Sequence, residues 1–385
     1  MLAATRELGS ERVAIADALD RVLAADLQAA GDVPPFPSSA MDGYAVKDGP
    51  AGQELTVVGE SRAGAPSDLQ LEDRQAIRIS TGAAVPPGAT AVIPQERVEV
   101  RDGTIRTEAE VSPGDHVRPA GEVVGSGMTV LVSGTTIGPA ELGAAVAAGA
   151  GDLLVAGRPR VQILCTGDEL RAPGEPLRPG EIHNSNGPML TGLAAHCGAS
   201  AAPAALLPDD RASTEAGLEA SLQAADVVIV SGGVSVGPHD HVKPALAKLD
   251  VREVFWGVAL QPGKPTWFGT REHKLVFGLP GNPVSAAVTF ALFAAPALWA
   301  LQGRAERTLD RRAVLGAAVP RNPGREQALR VRLEDRDGTT VAIPNGPQGS
   351  HVITSLLGAD ALAMIPAGEG TLEAGTRVVL TRLPR

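Results

Sequence analysis

The chain of 385 residues is poor in aromatic and sulfur side chains: three Trp, one Tyr, six Phe and two Cys. Two thiols, Cys165 and Cys197, exclude a disulfide framework and a four-thiolate metal centre, and they point to a reducing, cytoplasmic setting. So few rings exclude a row of base-stacking platforms. Positive charge is also in deficit. The 34 Lys and Arg against 44 Asp and Glu leave a net charge of −10, the reverse of what gripping a nucleic-acid backbone requires. The opening MLAATRELGSERVAIADALD has acidic residues where a signal peptide has its apolar stretch. Residues 284–301 run without a charge, but they are Ala-rich and include Ser285, Thr289 and Pro296, so they read as a buried helix of a soluble core rather than a membrane span.

What the chain has in quantity is Gly and Pro, 45 and 31 residues, interrupting apolar runs and marking many turns. At this length several domains are expected. In the first thirty residues Val13, Ala16, Leu19 and Val22 recur at helical spacing, which predicts a helix. Residues 55–117 alternate in short runs with an Asp102-Gly103 hairpin turn, an all-β insert. An Ala-rich helical stretch with Pro139 near its start follows. Beyond Gly157, short apolar strands (VQILC, SAAPAALL, VVIV, LVFG) alternate with helices, the pattern of a parallel sheet covered on both faces. The last eighty residues return to β texture, a small barrel or sandwich.

Ligands of such a sheet sit beyond the carboxyl ends of its strands, and three strand-to-helix loops there are suggestive. They are Thr166-Gly167-Asp168-Glu169, then Ser231-Gly232-Gly233-Val234-Ser235-Val236-Gly237, then Pro280-Gly281-Asn282-Pro283-Val284-Ser285. Glycine lets backbone N–H groups approach an anion, and a following helix adds its positive end. None fits the Walker or dinucleotide patterns, and no G-x-S-x-G elbow is present. The loops together predict a phosphate-bearing ligand. Glu169, Asp226, Asp240 and Asp42 form an oxygen-only carboxylate set without His or Cys spacing, which suits Mg²⁺; the alternative for Asp226 is a routine strand-start Asp. His239 and His241 flank Asp240 but lack a third nitrogen or sulfur ligand for zinc. Pro262-Gly-Lys264-Pro presents one ammonium in a stiff frame, suited to a phosphate oxygen.

Six blocks in order carry a family likeness: Pro37-Ser-Ser-Ala-Met-Asp-Gly-Tyr-Ala-Val46, Ser80-Thr-Gly-Ala83, Thr166-Gly-Asp-Glu-Leu170, Ser231-Gly-Gly-Val-Ser-Val-Gly237, Pro262-Gly-Lys-Pro265 and Gly278-Leu-Pro-Gly-Asn-Pro-Val-Ser285. With them the chain resembles the molybdopterin molybdenumtransferases, the family that includes the C-terminal domain of gephyrin. The resemblance implies a multi-domain α/β and β protein. An elongated helical linking domain would comprise residues 1–30 plus 119–156, an inserted β domain residues 31–118, a parallel α/β molybdopterin-binding domain residues 157–305, and a C-terminal β-barrel residues 306–385.

It also implies a head-to-tail homodimer and insertion of molybdate into adenylyl-molybdopterin, with Mg²⁺ as cofactor and AMP released. The adenylyltransferase that makes the substrate and the molybdoenzymes that receive the product would be partners. By the same resemblance Asp42, Asp226, Asp240 and Lys264 are catalytic, with Glu169, Asp226 and Asp240 as metal ligands. Asp42 and Thr81 would reach in from the partner subunit. Thr166, Gly167, Glu169, Ser231, Gly232, Gly233, Ser235, Gly237, Pro280, Gly281, Asn282, Pro283 and Ser285 would bind substrate. Three positions depart from the family pattern, each losing a charge: Val123 and Asn184 stand where a carboxylate is common, and Gln261 where a lysine is. They leave room for a paralogue with altered substrate, metal oxyanion or rate. The likeness to gephyrin also leaves open a non-catalytic pterin-binding or scaffolding protein on the same fold, and a nucleotide-phosphate hydrolase using the same loops is a more distant alternative.

Overall fold

The computed structural model describes residues 1–234, 240–304 and 311–384. Ser235, Gly237 and His239 lie outside the described residues.

The chain opens on a strand, β1 (Ser10–Ala14), where the spacing predicts a helix. Only single 3₁₀ turns, Leu2–Ala4 and Ile15–Asp17, are helical there. The reason is non-local. β1 pairs antiparallel, Val13 opposite Leu153 and Glu11 opposite Val155, with a strand about 140 residues on, and Arg12 ion-pairs with Asp152 across that ladder. The run supports both periods, and the distant partner decides between them.

The insert follows as a six-stranded mixed sheet: β2 (Gly43–Val46), β3 (Glu54–Ser61), β4 (Gln75–Ile79), β5 (Ala91–Pro94), β6 (Val98–Arg101) and β7 (Thr104–Thr107), in spatial order β5-β2-β4-β3-β7-β6. Its strands alternate side chains between two apolar clusters, Tyr44 and Ile93 in one, Ala45 and Ile77 in the other. The chain returns to the linking domain through α1 (Pro139–Ala147), where Glu141 accepts the Gly138 N–H at 3.0 Å and Pro139 occupies the first turn. β8 (Asp152–Ala156) is the partner of β1.

The α/β domain runs β9 (Arg160–Thr166), α2 (Asn186–His196), β10 (Ala205–Leu207), α3 (Arg211–Ala224), β11 (Val227–Ser231), α4 (Val242–Lys248), β12 (Arg252–Trp256), β13 (Leu260–Gln261), β14 (Trp267–Arg271), β15 (Lys274–Leu279), α5 (Pro283–Thr289) and α6 (Ala295–Leu301). β10, β9, β11 and β15 are parallel neighbours. The sheet is not wholly parallel: β14 lies antiparallel between β15 and β12, because the short 271–274 turn allows only a hairpin. Ile163, Ile229 and Phe277 pack under α2, α5 and α6, while Leu164, Val228 and Val276 pack under α3 and α4. The uncharged segment is core: of the helical stretch Pro283–Leu301, 72% of the most apolar window is buried.

The C-terminal unit is a closed barrel of β16 (Arg311–Leu315), β17 (Glu326–Arg336), β18 (Thr339–Pro344), β19 (Ala361–Ile365) and β20 (Arg377–Arg382), running β17-β18-β16-β20-β19 and back to β17. Closure leaves none of these five strands with a free edge. β13 pairs with the start of β17, and Leu260, Val284, Val288, Ala328 and Leu362 form an apolar seam joining the barrel to the sheet domain.

Candidate functional site

β9, β11 and β15 end side by side at Thr166, Ser231 and Leu279, so the three glycine-bearing loops converge on one edge of the sheet. Gly232 has φ +95, and a Cβ there would stand 2.8 Å from Thr166 Oγ1. At Gly233 the same oxygen would be 3.0 Å away. The nearest atom to a Cβ on Gly281 would be the Gly232 Cα, at 3.9 Å. At Gly232 and Gly233 a side chain would be strained and would clash, so the backbone there stays bare to an approaching anion, whereas Gly281 has room for a Cβ. The Gly232 N–H is used internally, on the Leu279 carbonyl at 3.1 Å.

Asn186, the first residue of α2, ties this edge together. Its Nδ2 donates to Ser231 Oγ at 2.9 Å and to the Gly281 carbonyl at 2.7 Å. Ser231 Oγ in turn lies 3.4 Å from the Pro280 carbonyl. Thr166, Gly167, Ser231, Gly232, Gly233, Pro280 and Gly281 are thus neighbours. Ser285 is buried inside α5, and Pro283 opens that helix behind Asn282. Glu169 folds back over Gly167, its carboxylate where a Cβ on that glycine would be. Asp240 is half-buried just ahead of α4.

Two carboxylates absent from the sequence-derived set stand at the same edge. The Asp168 N–H donates to Asp209 at 3.3 Å and the Asp209 N–H returns the bond to Asp168 at 3.0 Å. Asp210 caps α3 through the Ser213 N–H, and hydrogen bonds to Ser213 hold its carboxyl below the ordinary value. The Asp209-Asp210 pair reads in sequence as a helix opening, which hid the first of the two. A cavity of about 420 Å³ lies beside this loop, lined by Gly167, Asp168, Leu170, Arg171, Leu207 and Pro208 among others.

Asp226 is not there. It precedes β11, at the opposite end of the strand, about 16 Å from Ser231 at strand rise. Arg160 encloses it, donating from Nη2 to Oδ1 at 2.8 Å, from Nε to Oδ2 at 3.1 Å and from the backbone N–H to Oδ2 at 2.9 Å. Burial works to raise its carboxyl, but these bonds and the Arg160 charge outweigh it and hold Asp226 below the ordinary value. The assignment of Asp226 to the catalytic and metal sets is therefore corrected: it is a strand-start ion pair, out of reach of the loops.

Lys264 is exposed on its framed turn, its carbonyl accepting the Val258 N–H at 2.9 Å. The turn lies at the barrel seam, where Gln261 Oε1 accepts from Asn322 Nδ2 at 2.6 Å. Across the seam Asn282 Nδ2 donates to Ser350 Oγ at 3.2 Å and the Val284 N–H to the Ser350 carbonyl at 3.2 Å. Beneath that segment lies Arg330, wholly buried, its guanidinium bonded to Ser355 Oγ at 3.1 Å and to the Gly349 carbonyl at 3.4 Å, with no ion pair among the described residues. Burial pushes Arg330 down to about 10. The run ALRVRL holds Arg330 and Arg332 two residues apart, and on a strand Arg330 falls on the face with neither neighbour, Leu329 nor Val331.

Asp42 and Thr81 come together in the insert, the Thr81 N–H donating to Asp42 Oδ1 at 2.7 Å. Among the described residues no hydrogen bond links this exposed corner to the α/β loops of the same protomer. The Cys165 thiol is pushed up to about 11 by burial, so it is no thiolate nucleophile at neutral pH. Asn184, which hydrogen-bonds it, also accepts the Gly187 N–H at 2.9 Å and so caps the start of α2. Trp256 Nε1 holds the Val234 carbonyl at 3.1 Å, with the Lys243 ammonium 4.0 Å from its ring centre.

The chain matches three family descriptions in succession: the MoeA N-terminal region (domain I and II) over residues 1–149, a probable molybdopterin binding domain over 162–300, and the MoeA C-terminal region (domain IV) over 312–383. It is 38% identical to molybdopterin molybdenumtransferase 2 of Mycobacterium tuberculosis H37Rv, covering 95% of this chain and 93% of that protein. To the molybdopterin molybdenumtransferase of Haemophilus influenzae it is 34% identical, covering 96% and 93%. The crystal structure of the molybdopterin biosynthesis moeA protein from Pyrococcus horikoshii OT3 superposes with a TM-score of 0.85 at 30% identity, over 99% of this chain and 97% of that one. With fold, loop edge and near full-length likeness in agreement, the chain belongs to the molybdopterin molybdenumtransferase (MoeA) family.

Proposed function

We propose that the protein inserts molybdate into adenylyl-molybdopterin and releases AMP, completing the molybdenum cofactor. The observation that carries this reading is the bare-backbone edge formed by Thr166, Gly232, Gly233 and Gly281, which suits a diphosphate. The adjoining 420 Å³ cavity has room for a heterocycle. Lys264 and the field of buried Arg330 favour an oxyanion at the barrel seam, where molybdate, a dianion, would wait beside Asn282 and Ser350. These groups act by holding charge and orientation, without a covalent nucleophile.

Magnesium suits the donors. Among the described residues no three His, Cys, Asp or Glu side chains converge. An ion here would rest on one or two of Glu169, Asp240, Asp168 and Asp209 together with substrate phosphates, which is Mg²⁺ chemistry. When bound it neutralises phosphate charge.

The working form would be a cytoplasmic homodimer in which the Asp42–Thr81 corner of one subunit completes the site of the other. Exposed Val123, Met128, Val132 and Val146 on the linking domain offer apolar surface for such pairing. The deciding measurement is AMP release from adenylyl-molybdopterin with molybdate and Mg²⁺, alongside rescue of a molybdoenzyme in a strain lacking molybdenum insertion. Release no faster than without protein would favour the non-catalytic pterin-binding reading instead.

A further inference from the structure

Asn186 carries a feature that the assigned loops do not account for. It is 8% exposed, and its Oδ1 is fully buried without a hydrogen-bond partner among the described residues. The orientation of the amide is fixed, because the Gly281 carbonyl can only accept and so must face Nδ2. The acceptor left over carries the full desolvation penalty with nothing to offset it. The donor side meanwhile spans two separate loops, the one after β11 through Ser231 and the one after β15 through Gly281. One side chain on a third element therefore bridges the two loops, beside the direct Gly232 N–H bond to the Leu279 carbonyl, and it does so with half of its own hydrogen-bonding capacity unspent.

We propose that Asn186 is a positioning residue, a clasp that holds the Ser231-Gly232-Gly233 and Pro280-Gly281 loops at the separation the substrate needs. Oδ1 is closed to solvent in the ligand-free fold, so the surrounding loops must shift for a substrate hydroxyl or ring N–H to complete it; phosphate oxygens at neutral pH have no proton to give. The inference rests on the proposed reaction for its kinetic arm only.

Hydrogen exchange on the ligand-free protein tests the clasp whether or not turnover is observed. In the Asn186→Ala variant the hydrogen-bonded amides at the two loops, Gly232 on the Leu279 carbonyl and Val284 on the Ser350 carbonyl, should exchange at least about ten-fold faster together, with the strands behind them unchanged. Exchange altered in neither loop, or in one alone, overturns the clasp. In steady state the variant should raise the KM for adenylyl-molybdopterin about ten-fold, with kcat within about three-fold of wild type. A loss explained by less folded protein at unchanged KM would instead mark a merely structural residue.

The Asn186→Asp variant supplies a sharper signature. Its ionised carboxylate faces the Gly281 carbonyl and repels it, whereas its protonated form can donate there. Burial raises that carboxyl group's pKa, so its KM should fall toward the wild-type value between pH 8 and pH 6 while the Ala variant gains nothing. Identical pH profiles for the two variants would sink the proposal. Should wild type turn over while both variants match it, the clasp fails and the reaction stands; should wild type release no AMP, exchange decides the clasp alone.

Discussion

β11 begins beside Asp226 and ends at Ser231, and the two ends of this one strand are built to opposite purposes. At the amino end Asp226 is closed off by three hydrogen bonds from Arg160, and the Lys274 ammonium caps the neighbouring Ala225 carbonyl at 2.9 Å. At the carboxyl end the chain turns on glycines, Asn186 keeps a buried oxygen unpaired among the described residues, and Asp168 and Asp209 accept each other's backbone N–H. Satisfied groups make a stable edge, and unsatisfied ones make a binding edge. Carboxylates stand at both ends; at the amino end Arg160 encloses Asp226 on three sides.

Substitutions should separate the two ends by size of effect. Asp42→Ala should cost the most, about 100-fold or more in AMP release with the thermal midpoint unchanged, if its corner completes the carboxyl-edge site in a dimer. Full activity in purified variant protein would remove the corner from the site. Asp240→Ala should fall nearly as far. Lys264→Ala should raise the KM for molybdate roughly ten-fold, read by titrating molybdate at saturating pterin substrate.

Asp226→Asn should leave turnover within about two-fold and act on stability, by roughly 1 kcal/mol, since the exposed Arg160 side of the pair is screened. The sign follows from the lowered carboxyl. In wild type this contribution is present above the ordinary unfolded value near 3.8 and is lost as pH falls through the lower folded value. Denaturant melts at pH 7 and pH 2.5 should thus show a wild-type advantage at the first that is smaller at the second; an activity loss at neutral pH would return Asp226 to the site. The smallest change is expected from Asn184→Asp. A carboxylate can keep the Gly187 cap, so stability should hold and turnover should move by no more than a few-fold in either direction.

Much of this was legible in the sequence where the physics is local. The parallel strands showed as short apolar runs, the β insert as alternation broken by turns, and the loops as glycine clusters before helices. Asp42 and Thr81, 39 residues apart, were paired by family likeness, and the structure brings them within one hydrogen bond. Legibility failed where a distant partner decided the outcome. β1 reads as helix until β8 arrives to pair with it. Asp226 is a carboxylate near a glycine-rich loop in sequence, yet a strand's length places it at the far edge. Asp209 and Arg330 went unmarked because a helix-opening Asp and an Arg in a strand that carries three are ordinary locally; their company is what sets them apart.

The sequence by itself determined most of the elements and the chemistry on offer: glycine clusters ahead of helices, a lysine framed by prolines, many carboxylates and only two thiols. Only the tertiary structure decided which of those groups meet. Strand direction sorts residues to one end of a sheet or the other, and burial determines whether a charge or an amide keeps its partner in the fold or is left for a ligand to satisfy.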